Sequence, residues 1–149
     1  MNHSERNSLE KSYDTTMRLL FIGYHPVFKS HPLGCEVESL LELSPEQQIC
    51  YYPDKLFGGY NAFLMDHILA DCCKPTADEP AFTAYLNTSF KRPVPPTAQV
   101  RLRAWPVKID GGKIYLKGSL QITGPCGKWI DAISADALFI RPRSGGEIL

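Results

Sequence analysis

The chain has 149 residues, is 44% hydrophobic and 21% charged, and carries 16 Lys plus Arg against 16 Asp plus Glu. That length fits one domain with its own core, and a formal charge of zero excludes a global electrostatic drive toward nucleic acid or an anionic membrane. No apolar run approaches the roughly 20 residues needed to span a bilayer, and the opening MNHSERNSLEKSYD fits neither a secretory signal nor an Arg-rich transit peptide, so a cytoplasmic protein is expected.

Residues 1–13 read as a mobile tail ahead of one domain over 14–149, with Met1 and Met17 both open as the functional start. Thr15 to Tyr24 fits a short helix or an extended entry segment. His25-Pro26, His31-Pro32 and Gly34 predict an irregular stretch from 25 to 35, because proline disfavours helix for its predecessor. Glu36 to Leu43 and Gln47 to Tyr52 then read as two short strands around the turn signal Ser44-Pro45.

From Gly58 to Cys73 the apolar residues, among them Tyr60, Phe63, Leu64, Met65, Ile68 and Leu69, spread around the whole helical circumference. A helix apolar on nearly all sides is a buried helix. The diglycine opens it and Lys74-Pro75 closes it. Five cysteines (Cys35, Cys50, Cys72, Cys73, Cys126) make an odd count without metal-ligand spacing, so reduced structural thiols are expected, and no metal.

After Pro80 the period falls to two. Phe82, Ala84, Leu86 and Phe90 alternate with the polar row Thr83, Tyr85, Asn87 and Ser89. The segments 98–105 and 114–122 alternate in the same way, and Lys128 to Ile140 loses its alternation near Ala132 to Asp136, where a bulge is expected. Asp110-Gly111-Gly112 and Gly124-Pro125-Cys126-Gly127 are hairpin turns. The expected order is two strands, a buried helix and four meandering strands. One helix cannot cover both faces of so long a sheet, so an α+β architecture is predicted: a curled antiparallel sheet gripping the helix, its outer face partly covered by a second subunit.

The stretch Phe57-Gly58-Gly59-Tyr60-Asn61-Ala62-Phe63-Leu64-Met65-Asp66 resembles the helix-opening motif of hotdog-fold acyl-thioesterases of the phenylacetate-degradation type. There a His-Gly-Gly triplet is followed, seven residues after its second glycine, by an Asp or Glu. Leu86 to Val94 resembles the family's next strand, and the Asp110-Gly111-Gly112-Lys113 hairpin falls where the family has one. The resemblance covers about residues 36 to 141. It implies the hotdog fold, a homodimer or homotetramer, hydrolysis of an acyl thioester of coenzyme A or an acyl carrier, and no cofactor. It also implies roles: Gly59 N–H as oxyanion donor, Asp66 from the other protomer as base or nucleophile, and Thr83 orienting the water. Phe57 stands where the family has histidine, a departure that bears on activity rather than on fold.

The residues themselves support that chemistry. Glycine lets a ligand approach the backbone, and a helix start offers unpaired N–H groups and a dipole that favours developing negative charge. Asp66 lies two turns into an apolar helix on the side of Gly59, and carboxylates are seldom fully buried without a partner; its structural alternative is a cap or an ion pair. His67 is rotated about 100° from Asp66, so the two form no dyad by adjacency. The candidate substrate-binding residues are Phe57, Gly58, Asn61, Tyr85, Asn87 and Arg92, with the polar row of Tyr85 and Asn87 lining either a substrate tunnel or a subunit seam. Two other readings stay open: another hotdog chemistry on a carrier-bound, polyketide-like chain (dehydration, isomerisation or cyclisation), and a non-catalytic acyl-binding dimer.

Overall fold

In the computed structural model of the chain, the structure describes residues 23–43, 50–52, 55–56, 58–74 and 80–142. The elements in chain order are β1 (Val27–His31), β2 (Gly34–Glu42), β3 (Cys50–Tyr52), β4 (Lys55–Leu56), α1 (Gly58–Cys73), β5 (Phe82–Phe90), β6 (Gln99–Asp110), β7 (Lys113–Thr123) and β8 (Trp129–Ile140). Six strands form one antiparallel sheet in the order β1-β2-β6-β7-β8-β5, and β3 and β4 pair separately. This is the hotdog fold, with the sheet curved against α1 but not closed around it. The N-terminal segment to residue 22, Phe57 and the turn at Ser44-Pro45 lie outside the described residues.

The alternation read in the sequence sets the inner face. Val37 and Leu41 of β2, Val100 and Leu102 of β6, and Leu116 and Leu120 of β7 are all at most 2% exposed, while their neighbours Glu38, Arg101 and Lys117 turn outward. Against this face lies α1, whose Leu64, Met65, Ile68 and Leu69 are completely buried; each such side chain contributes about 1.5–3 kcal/mol relative to exposure. Helix and sheet approach closely at Gly118, where an added Cβ would stand 2.6 Å from Met65 Cε, and 3.1 Å from the Arg103 carbonyl oxygen of the neighbouring strand. A side chain there would have to displace the flexible end of Met65, which occupies a notch in β7.

The helix C-terminus is capped from the sheet. Arg141, just beyond β8, donates from Nη2 to the Cys73 carbonyl at 2.8 Å, satisfying an orphan acceptor and placing a cation at the negative end of the dipole. Cys35 and Cys72 exchange thiol-to-carbonyl contacts, Cys72 Sγ lying 3.2 Å from the Cys35 oxygen. Cys35, Cys72 and Cys73 are buried thiols outside any disulfide among the described residues, and burial pushes the Cys73 thiol up to about 12.

Three features depart from the sequence reading. The stretch from 25 to 35 is not irregular: Val27 to His31 form an edge strand that hairpins through Pro32 and Leu33 into β2, since proline sits in the turn and leaves the flanking ladder intact. The last four strands are not one meander. β6, β7 and β8 are, but β5 crosses over to the far edge and pairs with β8. The polar row of β5 is also broken, because a bulge between Thr83 and Tyr85 leaves Ala84 unpaired; Thr83 lies opposite the buried Phe139, whereas Tyr85 lies opposite Leu138. The expected bulge in β8 is present: Leu120 pairs with Ile133 and Gln121 with Asp131, leaving Ala132 extra.

Candidate active site

The sheet does not cover every side of α1. Gly59 and Phe63 are exposed, and Ala62, Asp66, His67 and Ala70 are half-buried, a stripe with the i, i+3, i+4, i+7 spacing of one helical side. Buried almost all round, as the sequence predicts, the helix nevertheless keeps this one open strip, and the strip runs beside edge strand β5.

At the middle of the strip Thr83 Oγ1 donates a 2.8 Å hydrogen bond to Asp66 Oδ1. The bulge at Ala84 makes the bond possible, because it shifts the phase of β5 and turns Thr83 to the inner face with Phe139. Among the described residues no cation lies within ion-pair distance of Asp66, so the expected structural alternative of an ion pair with an arginine is not formed. The bond to Thr83 fills one acceptor position of a carboxylate that has about four.

Gly59 lies seven residues before Asp66, two helical turns away on the same side, and is exposed. As the second residue of α1 its N–H is one of the first four, which have no partner within the helix. No acidic side chain occupies that first turn, leaving the positive end of the dipole without a carboxylate of its own. Asn61 is 4% exposed and its Oδ1 has no hydrogen-bond partner among the described residues; its helical spacing to Met65 puts it on the core side rather than in the open strip.

The remaining candidates are not gathered at Asp66. Tyr85 and Asn87 lie opposite Leu138 and Asp136 on the outer face of β5, on the reverse side of the sheet. Arg92 stands beyond the other end of β5, where Nη1 donates to the Asp131 carbonyl at 2.8 Å. Phe57 lies outside the described residues, and Gly58 opens α1.

Sequence reasoning missed a second polar cluster, one turn further along the helix. Asp71 is 5% exposed. It accepts a short hydrogen bond from the Tyr24 hydroxyl, faces Lys74 Nζ at 2.7 Å and lies 3.6 Å from His67 Nε2. Tyr24 and His67 also meet edge to face with ring centroids 5.1 Å apart. Burial, reinforced by Asp71, holds the Tyr24 phenol protonated far above its ordinary range. Burial also lowers the His67 pKa, against the opposing pull of the Asp71 carboxylate. Tyr24 sits in the stretch left undecided between helix and extended chain, so no periodicity pointed to it.

Comparison with known proteins places this geometry. The sequence model of the thioesterase superfamily matches residues 55–117, a span that holds Gly59, Asp66 and Thr83. No curated protein sequence matches the chain. Among solved structures, a thioesterase superfamily protein is 25% identical with a TM-score of 0.59, the match covering 77% of this chain and 55% of that one, so this chain spans little more than half of that protein. An acyl-CoA hydrolase from Staphylococcus aureus, solved with butyryl coenzyme A, coenzyme A and coenzyme A disulfide, is 17% identical with a TM-score of 0.67, covering 75% and 68%. A hexameric hotdog-fold thioesterase of Campylobacter jejuni is 17% identical with a TM-score of 0.60, covering 72% and 84%. Among the described residues, no helix is long and apolar enough to cross a membrane. The thioesterase-superfamily model thus matches the helix and the strands after it, and the sheet around them has the hotdog fold of these solved structures.

Proposed function

We propose that the protein is an acyl thioesterase in which Asp66 activates water, or attacks directly, beside an oxyanion site at the Gly59 N–H. The observation that carries this reading is the Thr83–Asp66 hydrogen bond on the one open side of α1. A carboxylate held at one oxygen by a neutral hydroxyl keeps its other lone pairs for a water molecule, whose proton it would take as general base. Thr83 fixes the carboxylate rotamer. As the water adds to the thioester carbonyl, negative charge grows on the carbonyl oxygen, which a helix N-terminal N–H stabilises; one such donor contributes about 3 kcal/mol to lowering the barrier. Collapse of the tetrahedral adduct breaks the C–S bond and releases a carboxylic acid and a thiol.

A second line of support comes from the Staphylococcus aureus hydrolase. It was solved as alanine variants of an Asp and of a Thr that stand 17 positions apart in its sequence, the same separation as Asp66 and Thr83. A third variant replaced an Asn 15 positions before that Asp, and this chain has Tyr51 at that distance from Asp66.

Gly59 and Asp66 lie on one helix about 10 Å apart along the axis, from seven residues at ~1.5 Å each, too far for a single carbonyl and its attacking water. The reading therefore includes a second copy of the chain, with Gly59 of one protomer facing Asp66 of the other. β5 offers the contact. It is a nine-residue edge strand with Phe82, Tyr85 and Phe90 between 41% and 54% exposed, and long apolar edges pair readily with another strand.

The test is thiol release from a panel of acyl-CoA and acyl-pantetheine thioesters by the wild-type protein and by Asp66→Asn. Turnover that falls by about 10²–10⁴-fold in a variant that melts normally is the expected result. Turnover retained in the variant removes Asp66 from the chemistry, and no release from any thioester overturns the hydrolase reading.

A further inference from the structure

Along β2 the side chains of Cys35, Val37, Ser39 and Leu41 turn to the inner face. Cys35, the first of them, meets the last turn of α1, and there each sulfur reaches the other residue's backbone. Cys72 Sγ lies 3.2 Å from the Cys35 carbonyl oxygen, and Cys35 Sγ lies 3.6 Å from the Cys72 carbonyl oxygen. Reciprocal contact of this kind directs each Cβ–Sγ bond toward the opposite chain segment, as a disulfide requires. The two thiols also act on each other: burial raises the Cys35 pKa, and a hydrogen bond with the Cys72 thiol partly lowers it again. Burial holds Cys72 protonated far above the ordinary thiol range, and Cys35 adds to the rise. Cys73, although adjacent in sequence, turns its thiol back to the Leu69 carbonyl at 3.6 Å.

The two sulfurs differ in what surrounds them. Cys72 lies between helix and sheet, in the same last turns as the buried Ile68 and Leu69. Cys35 follows directly on the hairpin from β1 to β2, where Pro32, Leu33 and Gly34 are exposed. A hairpin at a sheet edge opens more readily than the core behind it. A small solute therefore reaches Cys35 before Cys72.

We propose that Cys35 and Cys72 form a redox modification site, in which a small hydroperoxide oxidises Cys35 and Cys72 converts the product to an intramolecular disulfide. In the first step the Cys35 sulfur attacks the peroxide O–O bond and takes one oxygen as a sulfenic acid, while the other oxygen leaves as an alcohol or as water. In the second step the Cys72 sulfur attacks the Cys35 sulfur and gives up its proton; the S–O bond breaks, water leaves and the S–S bond forms. Two thiols and one hydroperoxide thus become one disulfide, one alcohol and one water, with water in place of the alcohol when the oxidant is hydrogen peroxide. The bond joins residues 37 positions apart and pins the C-terminal end of α1 to the sheet. A dithiol reductant reverses it. The site is independent of the thioesterase reading of Asp66.

The experiment uses the full chain carrying Cys126→Ser, which removes the exposed thiol as a route to disulfides between molecules. The folded protein is treated with hydrogen peroxide, its remaining thiols are alkylated in denaturant, and its peptides are mapped without reduction. The expected product is a Cys35–Cys72 crosslink within one chain, distinguished from a Cys73 crosslink by fragmentation. Its melting temperature is expected to stand about 10 °C above that of the reduced protein, and dithiothreitol to remove the difference. Cys35→Ala treated in the same way is expected to show no rise, and Cys73→Ala the full rise. The mapping needs no core substitution, so a variant that fails to fold leaves it intact. Cys35 recovered as the alkylated thiol or as a sulfonic acid, a crosslink from Cys35 to Cys50 or Cys73 instead, or a crosslinked protein that melts no higher than the reduced one overturns the assignment.

Discussion

Asp66 and Asp71 stand five residues apart on the same helix, and their surroundings differ in almost every respect. Asp71 is 5% exposed and meets a phenol, an ammonium and an imidazole. Asp66 is half-buried at the open strip and has one hydroxyl. A carboxylate whose lone pairs are all occupied holds structure together. One with a single neutral partner is oriented and still open to a reactant. The two acids of a helix apolar on nearly every side thus differ: one ties Tyr24 across its C-terminal half, and the other lies on the open strip beside Thr83.

The contrast breaks most readily at Asp71. Asp71→Asn is expected to cost about 2–3 kcal/mol in urea unfolding, the scale of hydrogen bonds to a charged group, with turnover per folded molecule unchanged. A variant that keeps its stability but loses turnover would reverse the roles of the two acids. Thr83→Val sharpens the other side. It preserves shape and removes the only described bond to Asp66, so kcat is expected to fall about tenfold, equivalent to ~1.4 kcal/mol of barrier, with little change in melting because Thr83 is exposed. Unchanged kcat would mean that Asp66 needs no orienting partner.

The smallest effect is a pH dependence at His67. Burial lowers its pKa below the ordinary 6.5, with Asp71 pulling the other way. The unfolded chain therefore binds this proton more readily than the folded one, and stability declines as pH falls through 6.5 toward the folded-state value. His67→Gln is expected to flatten that decline in unfolding curves taken between pH 7 and pH 5. A steeper decline would show that the bond to Asp71 outweighs desolvation.

Much of this was legible in the residues. The run from Gly58 to Cys73 gives a mostly buried helix because its apolar positions leave no wide polar face, and the alternation of 98–105 and 114–122 gives the paired strands β6 and β7. Asp66 stood out as an acid in that helix. The path of β5 was not legible: alternation reports which face a residue takes, not which neighbour its strand chooses, and nothing local to Phe82–Phe90 names β8. The bulge at Ala84 was equally hidden, since an unbroken apolar–polar pattern crosses it, yet it decides that Thr83 and not Ala84 faces the helix. Strand β1 was missed because two prolines near its ends outweighed the short apolar pair Val27-Phe28.

Met65, next to the proposed base, sits in the notch that Gly118 leaves in β7. A round bar resting on a curved surface is free to slide and to roll; a pin in a slot removes both freedoms. Because Asp66 follows Met65 directly, its position beside β5 and its angle toward Thr83 depend on a glycine that touches neither of them. A side chain at position 118 would press first on the flexible end of Met65, and whatever Met65 did not yield would reach the carboxylate without a single group at the site having been altered.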